Sequence, residues 1–338
     1  MPKANSPILH ATVRALLAHG KGLLAADESF PTIEKRFKEI ALQSTEETRR
    51  AYREMLFTTP HLGRFISGAI LFDETLRQKT GTGLSMPAVL VRQGIIPGIK
   101  VDAGTVPLAG SPGQKITQGL DGLRERLAGY RALGARFTKW RAVFAISSRF
   151  PTRRVIESNS WTLASFAALS QEAGLVPIVE PEVLMDGSHS IDRCEEVTTE
   201  VLKNVFNALF EQEVELEGML LKSGMVLSGS DATEQASPTQ ISAATLRCFR
   251  RTVPAAVPGI VFLSGGQSSQ SATTRLSALC RAPNLPWTLS FSFGRALQSP
   301  AINAWRGKPE KMKHAQQALY ECARNNGAAV SNQPSRRR

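Results

Sequence analysis

At 338 residues, with 42% hydrophobic and 21% charged side chains, the chain has the make-up of a folded globular protein, which excludes bulk disorder. A formal net charge of +12 points to anionic partners, but the basic residues are spread out and form no nucleic-acid-binding motif, so phosphorylated metabolites are expected rather than a specific nucleic acid. No apolar stretch is long enough to span a bilayer.

In chain order, residues 7–19 read as a helix closed by Gly20, followed by a strand over 22–27. A long charged helix is expected over 34–57, its surface laced by Glu46, Glu47, Arg49 and Arg50. Strands follow at 67–72 and 95–102, then a Gly- and Pro-rich loop over 107–113 and a helix over 120–133. A fourth strand, 136–144, precedes a helix over 152–173, and a fifth, 175–182, precedes a helix over 191–210. The sixth is the apolar run 215–225 that carries Lys222. The seventh, 259–264, runs into Gly265-Gly266, and the eighth, 287–292, into Gly294-Arg295 and a last pair of helices.

Eight strands alternating with helical segments point to an α/β fold with a parallel sheet. Over this length they favour one closed (β/α)8 TIM barrel across 1–326, with extra terminal helices; a doubly wound open sheet is the alternative. The residues from 327 to 338 read as a polar, basic, disordered tail. The cysteines Cys194, Cys248, Cys280 and Cys322 form no CxxC pair, which suits reduced thiols in the cytoplasm. The five histidines show no metal-ligand spacing, and no Gly-rich nucleotide loop is present, so neither metal nor cofactor is expected.

Charged residues collect late in the strands, at spacings that place both members on one face: Lys100 with Asp102, Lys139 with Arg141, Glu180 with Glu182. Any one pair reads equally well as a structural ion pair, but acids and bases at six strand ends, from Asp27 to Arg295, read as a site. Burial and a cationic neighbour such as Lys139 favour the neutral form of an amine, the form that attacks a ketone, so Lys222 is the candidate nucleophile. Glu180, set among apolar residues and Pro181, is expected to bind its proton more tightly than usual and to act as acid and base. Ser264-Gly265-Gly266 falls where barrels bind phosphate through backbone N–H groups.

The stretches GKGLLAADES (20–29 with its leading Gly20), GIKVD (98–102), VPLAG (106–110), QGLDGL (118–123), KWR (139–141), VPIVEPE (176–182), EGMLLK (217–222), FLSGGQS (262–268) and FSFGRALQ (291–298) resemble, in order, class I fructose-bisphosphate aldolase. The resemblance implies a cytoplasmic, homotetrameric, metal-independent enzyme cleaving fructose 1,6-bisphosphate through a lysine Schiff base. It gives Lys222 the Schiff-base role and Glu180 the proton transfers, places Asp27 at the C4 hydroxyl, and has Lys139 supporting iminium formation, with Glu182 in the same catalytic set. It assigns Ser264, Gly265, Gly266, Ser292 and Arg295 to the C1 phosphate, with Arg36 also at a phosphate-contacting position, gives Ser29, Thr32 and Lys100 to the far phosphate, and adds Gly294 and Arg141 to the substrate-binding set.

The chain departs from the family pattern at Phe30-Pro31, Ser223-Gly224 and Phe293, and its last tyrosine, Tyr320, is far from the terminal position of the animal members. Two other readings stay open: a related Schiff-base barrel for another phosphorylated ketose, and a non-catalytic binder of polyanions. Buried charges without a task are a stability liability, so the joint presence of Asp27, Lys139, Glu180 and Lys222 weighs against the last.

Overall fold

Eight short apolar runs form the staves of a closed, all-parallel barrel in a computed structural model that describes residues 5–333. They are β1 (Gly22–Ala26), β2 (Ile66–Leu71), β3 (Ile96–Lys100), β4 (Phe137–Phe144), β5 (Val176–Val183), β6 (Leu220–Ser223), β7 (Gly259–Phe262) and β8 (Thr288–Phe293). Each pairs with its neighbours in sequence, and β1 closes the ring on β8 through Leu23 opposite Ser292. Strands covered on both faces need no alternation of apolar and polar residues, which is why β1, β2 and β7 are buried at every position. The closed barrel was the expected fold, and the open-sheet alternative is set aside.

The lower part of the barrel is filled and capped. The N-terminal helix Ser6–Leu16 turns Leu9, Val13 and Leu16 against Leu23, Phe137, Val176, Ile178 and Leu220. At Gly98 a Cβ would lie 2.2 Å from the Phe137 ring, so only glycine lets that ring fill the interior. A second apolar layer packs the outer helices, among them Arg153–Glu172 and Ile191–Glu211, onto the strands. With one end plugged, polar side chains can collect only at the C-terminal ends of the strands.

Three expectations are corrected. The helix expected over 34–57 is two helices, Phe30–Lys38 and Glu46–Phe57. Between them Ala41 takes a positive φ of 55°, and Thr45 and Thr48 form a reciprocal capping box that starts the second helix. The Lys222 strand is shorter than 215–225, because Gln171 brackets the Glu215 backbone with two hydrogen bonds, of 2.7 and 2.9 Å, and holds a tight turn over Leu216–Gly218. The expected Gly- and Pro-rich loop over 107–113 is present and joins the strands of a small hairpin, Thr105–Pro107 against Lys115–Thr117.

The expected tail is the third. The last helix runs Met312–Ser331, and Gly327, Ala329 and Val330 are buried in it; residues 334–338 lie outside the described residues. At Gly327 a Cβ would meet the Gly20 carbonyl at 2.8 Å and Phe65 at 2.9 Å. Among the described residues no helix is long and apolar enough to cross a membrane.

Gly327→Val should therefore lower the unfolding free energy by about 1–3 kcal/mol through overpacking. Chemical denaturation reads this directly; unchanged stability would mean that the last helix is not seated as described.

Candidate active site

The strand ends open into a cavity of about 990 Å3. At its floor lie Asp27 just after β1, Lys139 on β4, Glu180 on β5 and Lys222 on β6. Lys139, Glu180 and Lys222 are each no more than 4% exposed. The Glu180 carboxylate bridges the two lysines, with Oε1 3.0 Å from Lys222 Nζ and Oε2 2.9 Å from Lys139 Nζ. Lys139 Nζ also lies 2.9 Å from Asp27 Oδ2. The cationic neighbour expected at Lys222 is thus reached across a carboxylate, and the group in direct contact is Glu180.

This pairing overturns the expectation for Glu180. Burial by itself would raise its proton affinity, but Lys139, Lys222 and Arg141 outweigh it and hold the carboxyl below its ordinary value. Asp27 is governed the same way: burial raises it, and Lys139, Lys222 and Lys100 bring it far below the usual aspartate value. Lys139 answers them. Burial would lower it, but Asp27, Glu180 and Asp102 hold its proton more firmly than water would. At rest the floor is therefore a pair of carboxylates around a fixed ammonium.

Further up the wall, Arg141 pairs with Glu182, and Lys100 lies 2.6 Å from Asp102 Oδ1. The expected i, i+2 partnership of Lys100 with Asp102 is present, whereas Lys139 and Arg141 take their partners from neighbouring strands. Ser29 and Thr32 stand at the start of the helix Phe30–Lys38, their hydroxyl oxygens 3.2 Å apart. Pro31 in its first turn presets the backbone there. Phe30 joins this rim as an exposed aromatic, with the Arg49 guanidinium 4.7 Å from its ring centre and Phe72 edge-on at 5.1 Å.

The opposite wall is built for an anion. Ser264, Gly265, Ser292, Gly294, Arg295 and Arg36 line it, where the helix Arg295–Trp305 begins. Free N–H groups at a helix start favour negative charge. Arg295 donates to the Gly265 carbonyl, and the buried Ser292 hydroxyl has no hydrogen-bond partner among the described residues. Gly266 is the exception: it is exposed, lies outside the lining, and its N–H donates to Met185 Sδ at 3.2 Å.

Sequence reasoning missed what stands behind this wall: Glu28, Arg53, Tyr52 and Gln298. Glu28 neighbours Asp27 in the ADES stretch and Gln298 closes FGRALQ, so two of the four were on the page as letters without a task. Their pairing spans up to 270 residues of chain and leaves no local signal.

Fold and site together define an α/β-barrel enzyme whose lysine-centred site is shaped for an anionic substrate. Among the described residues no group of three or more His, Cys, Asp or Glu side chains could hold a metal ion. A family model described as fructose-bisphosphate aldolase class-I matches residues 8–336. A probable fructose-bisphosphate aldolase class 1 of Xanthomonas axonopodis pv. citri is 54% identical over 95% of this chain and 97% of its own. The chloroplastic fructose-bisphosphate aldolase 2 of Pisum sativum is 51% identical over 94% of this chain and 90% of its own. The solved fructose-bisphosphate aldolase of Plasmodium falciparum superposes with a TM-score of 0.97 at 47% identity, over 99% of this chain and 97% of that one. The chain belongs to the class I fructose-bisphosphate aldolase family. Its activity is that of the class, reversible aldol cleavage of fructose 1,6-bisphosphate to dihydroxyacetone phosphate and glyceraldehyde 3-phosphate through a lysine Schiff base.

The depressed carboxyls contribute stability that is present above their unfolded values of 3.8 and 4.5 and is lost as pH falls below them. Lys139→Met takes from Asp27 its direct ion-pair partner and from Glu180 one of its two, and should cost about 3–5 kcal/mol at neutral pH. Their protonation then becomes favourable, so the deficit should shrink towards about pH 4. Denaturant titrations across that range test this, and a deficit independent of pH would contradict it.

Proposed function

We propose that Lys222 is the amine that attacks the C2 ketone and that Glu180 is its proton partner. The observation that supports this most is the Glu180 carboxylate shared between Lys222 and Lys139, one oxygen to each. Glu180 Oε1 takes the proton that Lys222 Nζ loses as its electron pair bonds to C2. Lys139, held charged, supports the developing alkoxide by a fixed positive field. A second proton passes from Nζ to the alkoxide, and Glu180 then returns its own proton to the resulting C2 hydroxyl, which leaves as water while nitrogen forms the C=N bond.

Asp27, ionised and beside Lys139, accepts the C4 hydroxyl proton. The C3–C4 pair moves toward C2 and the iminium nitrogen, giving an enamine and free glyceraldehyde 3-phosphate. Protonation at C3 and hydrolysis of the iminium release dihydroxyacetone phosphate and restore the amine. Glu182 steadies Arg141 at the cavity wall.

The C1 phosphate is assigned to Ser264, Gly265, Ser292, Gly294, Arg295 and Arg36, and the distal phosphate to Ser29, Thr32 and Lys100 with Arg141. Gly266, whose N–H is already engaged by Met185, supports the turn rather than the phosphate. The enzyme works in the cytoplasm, in glycolysis and gluconeogenesis, as a homotetramer. Phe210, 82% exposed at the end of the helix Ile191–Glu211, and the exposed Trp161 are apolar surface that subunit contacts would bury.

Borohydride added with dihydroxyacetone phosphate should fix a covalent adduct on Lys222, identified by peptide mass, and none in Lys222→Ala; labelling of another lysine would overturn the assignment. Light scattering should give a mass four times 36.7 kDa. A stable monomer would refute the tetramer.

A further inference from the structure

Behind Arg36 lies an ionic cluster with no task in the scheme above. Glu28 is buried with both oxygens engaged: Oε1 by Arg36 and by Gln298 Nε2 at 2.9 Å, Oε2 by Arg53 Nη1 at 2.6 Å. Gln298 is itself fixed, donating to the Ala25 carbonyl at the end of β1 and accepting from the Tyr52 hydroxyl at 2.8 Å. Arg53 is shut away from the cavity at 3% side-chain exposure, whereas Arg36 reaches the lining with 16%. A Cβ on Gly294 would lie 3.7 Å from Arg36 Nη2, which puts this guanidinium at the start of the helix Arg295–Trp305, on the anionic wall.

An arginine bound to a buried carboxylate is a poor anion receptor, because the pair is neutral. Here a second arginine alters the balance. Two guanidinium charges face one carboxylate, so the cluster carries one net positive charge, and its solvent-facing member is Arg36. Among the described residues Glu28 is the ion-pair partner of Arg53, whose guanidinium also lies 5.5 Å from the Tyr52 ring centre, so Arg53 acts on the cavity chiefly through Glu28. Burial would raise the Glu28 carboxyl, but Arg36 and Arg53 hold it below its ordinary value, so it is ionised throughout the working range.

We propose that Arg53 is a positioning residue for substrate phosphate: by neutralising Glu28 from behind, it leaves the charge of Arg36 available to the C1 phosphate and fixes the direction in which Arg36 points. This rests on the assignment of Arg36 to that phosphate. The position of Glu28 beside the catalytic Asp27 then has a reason, since a carboxylate there without a second cation would repel both substrate and Asp27.

The test compares Arg53→Met, Arg53→Lys, the charge-balanced pair Glu28→Gln/Arg53→Met, and Arg36→Met, with inorganic phosphate as competitive inhibitor and fructose 1,6-bisphosphate as substrate. Thermal melting reports folding of each. Arg53→Met should weaken phosphate inhibition and raise KM by roughly tenfold or more, with kcat little changed. Arg53→Lys should stay close to the parent, and the pair should recover phosphate binding because its net charge is again +1. If Arg53→Met does not fold, the pair decides alone, since it buries no unpaired charge: phosphate inhibition near the parent supports the proposal, and a tenfold loss overturns it. Weakening by Arg36→Met without weakening by Arg53→Met overturns this inference alone. Inhibition unchanged in Arg36→Met overturns the assignment of Arg36 itself.

Discussion

One carboxylate shared by two buried lysine side chains is the constraint on which the rest of this structure depends. Glu180 sits between Lys139 and Lys222 at distances of 2.9 and 3.0 Å, with water nearly excluded. Removing charged groups from water costs several kcal/mol each, and their mutual attraction offsets this only when every partner is in place. The barrel meets that condition. Adjacent strands bring the three side chains together near their C-terminal ends, and the apolar plug of Leu9, Val13 and Leu16 fills the other end of the barrel.

Charge is graded outward from this floor. Lys139, Glu180 and Lys222 are sealed, Asp27 and Lys100 are slightly open at 12% and 13% side-chain exposure, and Arg141 with Glu182 is the most accessible, the arginine side chain being 40% exposed. Sealed pairs hold protonation states, while open pairs can exchange a protein partner for a substrate oxygen. The Arg53–Glu28–Arg36 cluster extends this division of labour behind the wall, with its buried member setting the charge that its exposed member presents. Catalysis and binding thus draw on one network of neutralised charges, arranged by depth.

Much of this was legible in the sequence, because the features involved are local. Eight apolar runs separated by helical patterns and glycines announce a parallel barrel whatever the family. Acids and bases late in those runs mark the open end, and all but Gly266 of the residues so marked line one cavity. What failed was partnership. Flanking apolar residues suggested that Glu180 would hold its proton, but two lysines from neighbouring strands, 41 and 42 positions away in sequence, decide otherwise. Gln298, Tyr52 and Arg53 escaped notice for the same reason: each meets its partner only after the chain has closed on itself. The break in the long helix was readable in principle, since Thr45 and Thr48 stand at the spacing of a capping box, but the charged residues around them imitate a continuous helix.

The central claim is that Glu180 is ionised at rest and takes its proton from Lys222 when the ketone binds. Isotope-edited infrared difference spectroscopy on glutamate-labelled enzyme, with dihydroxyacetone phosphate as the trigger and Glu180→Gln as the control, observes that proton directly. The account predicts a carboxylate band at neutral pH that is lost in the variant and gives way to a protonated carboxyl as the carbinolamine forms. A protonated Glu180 in the free enzyme, or a carboxylate band that binding leaves unchanged, would contradict it.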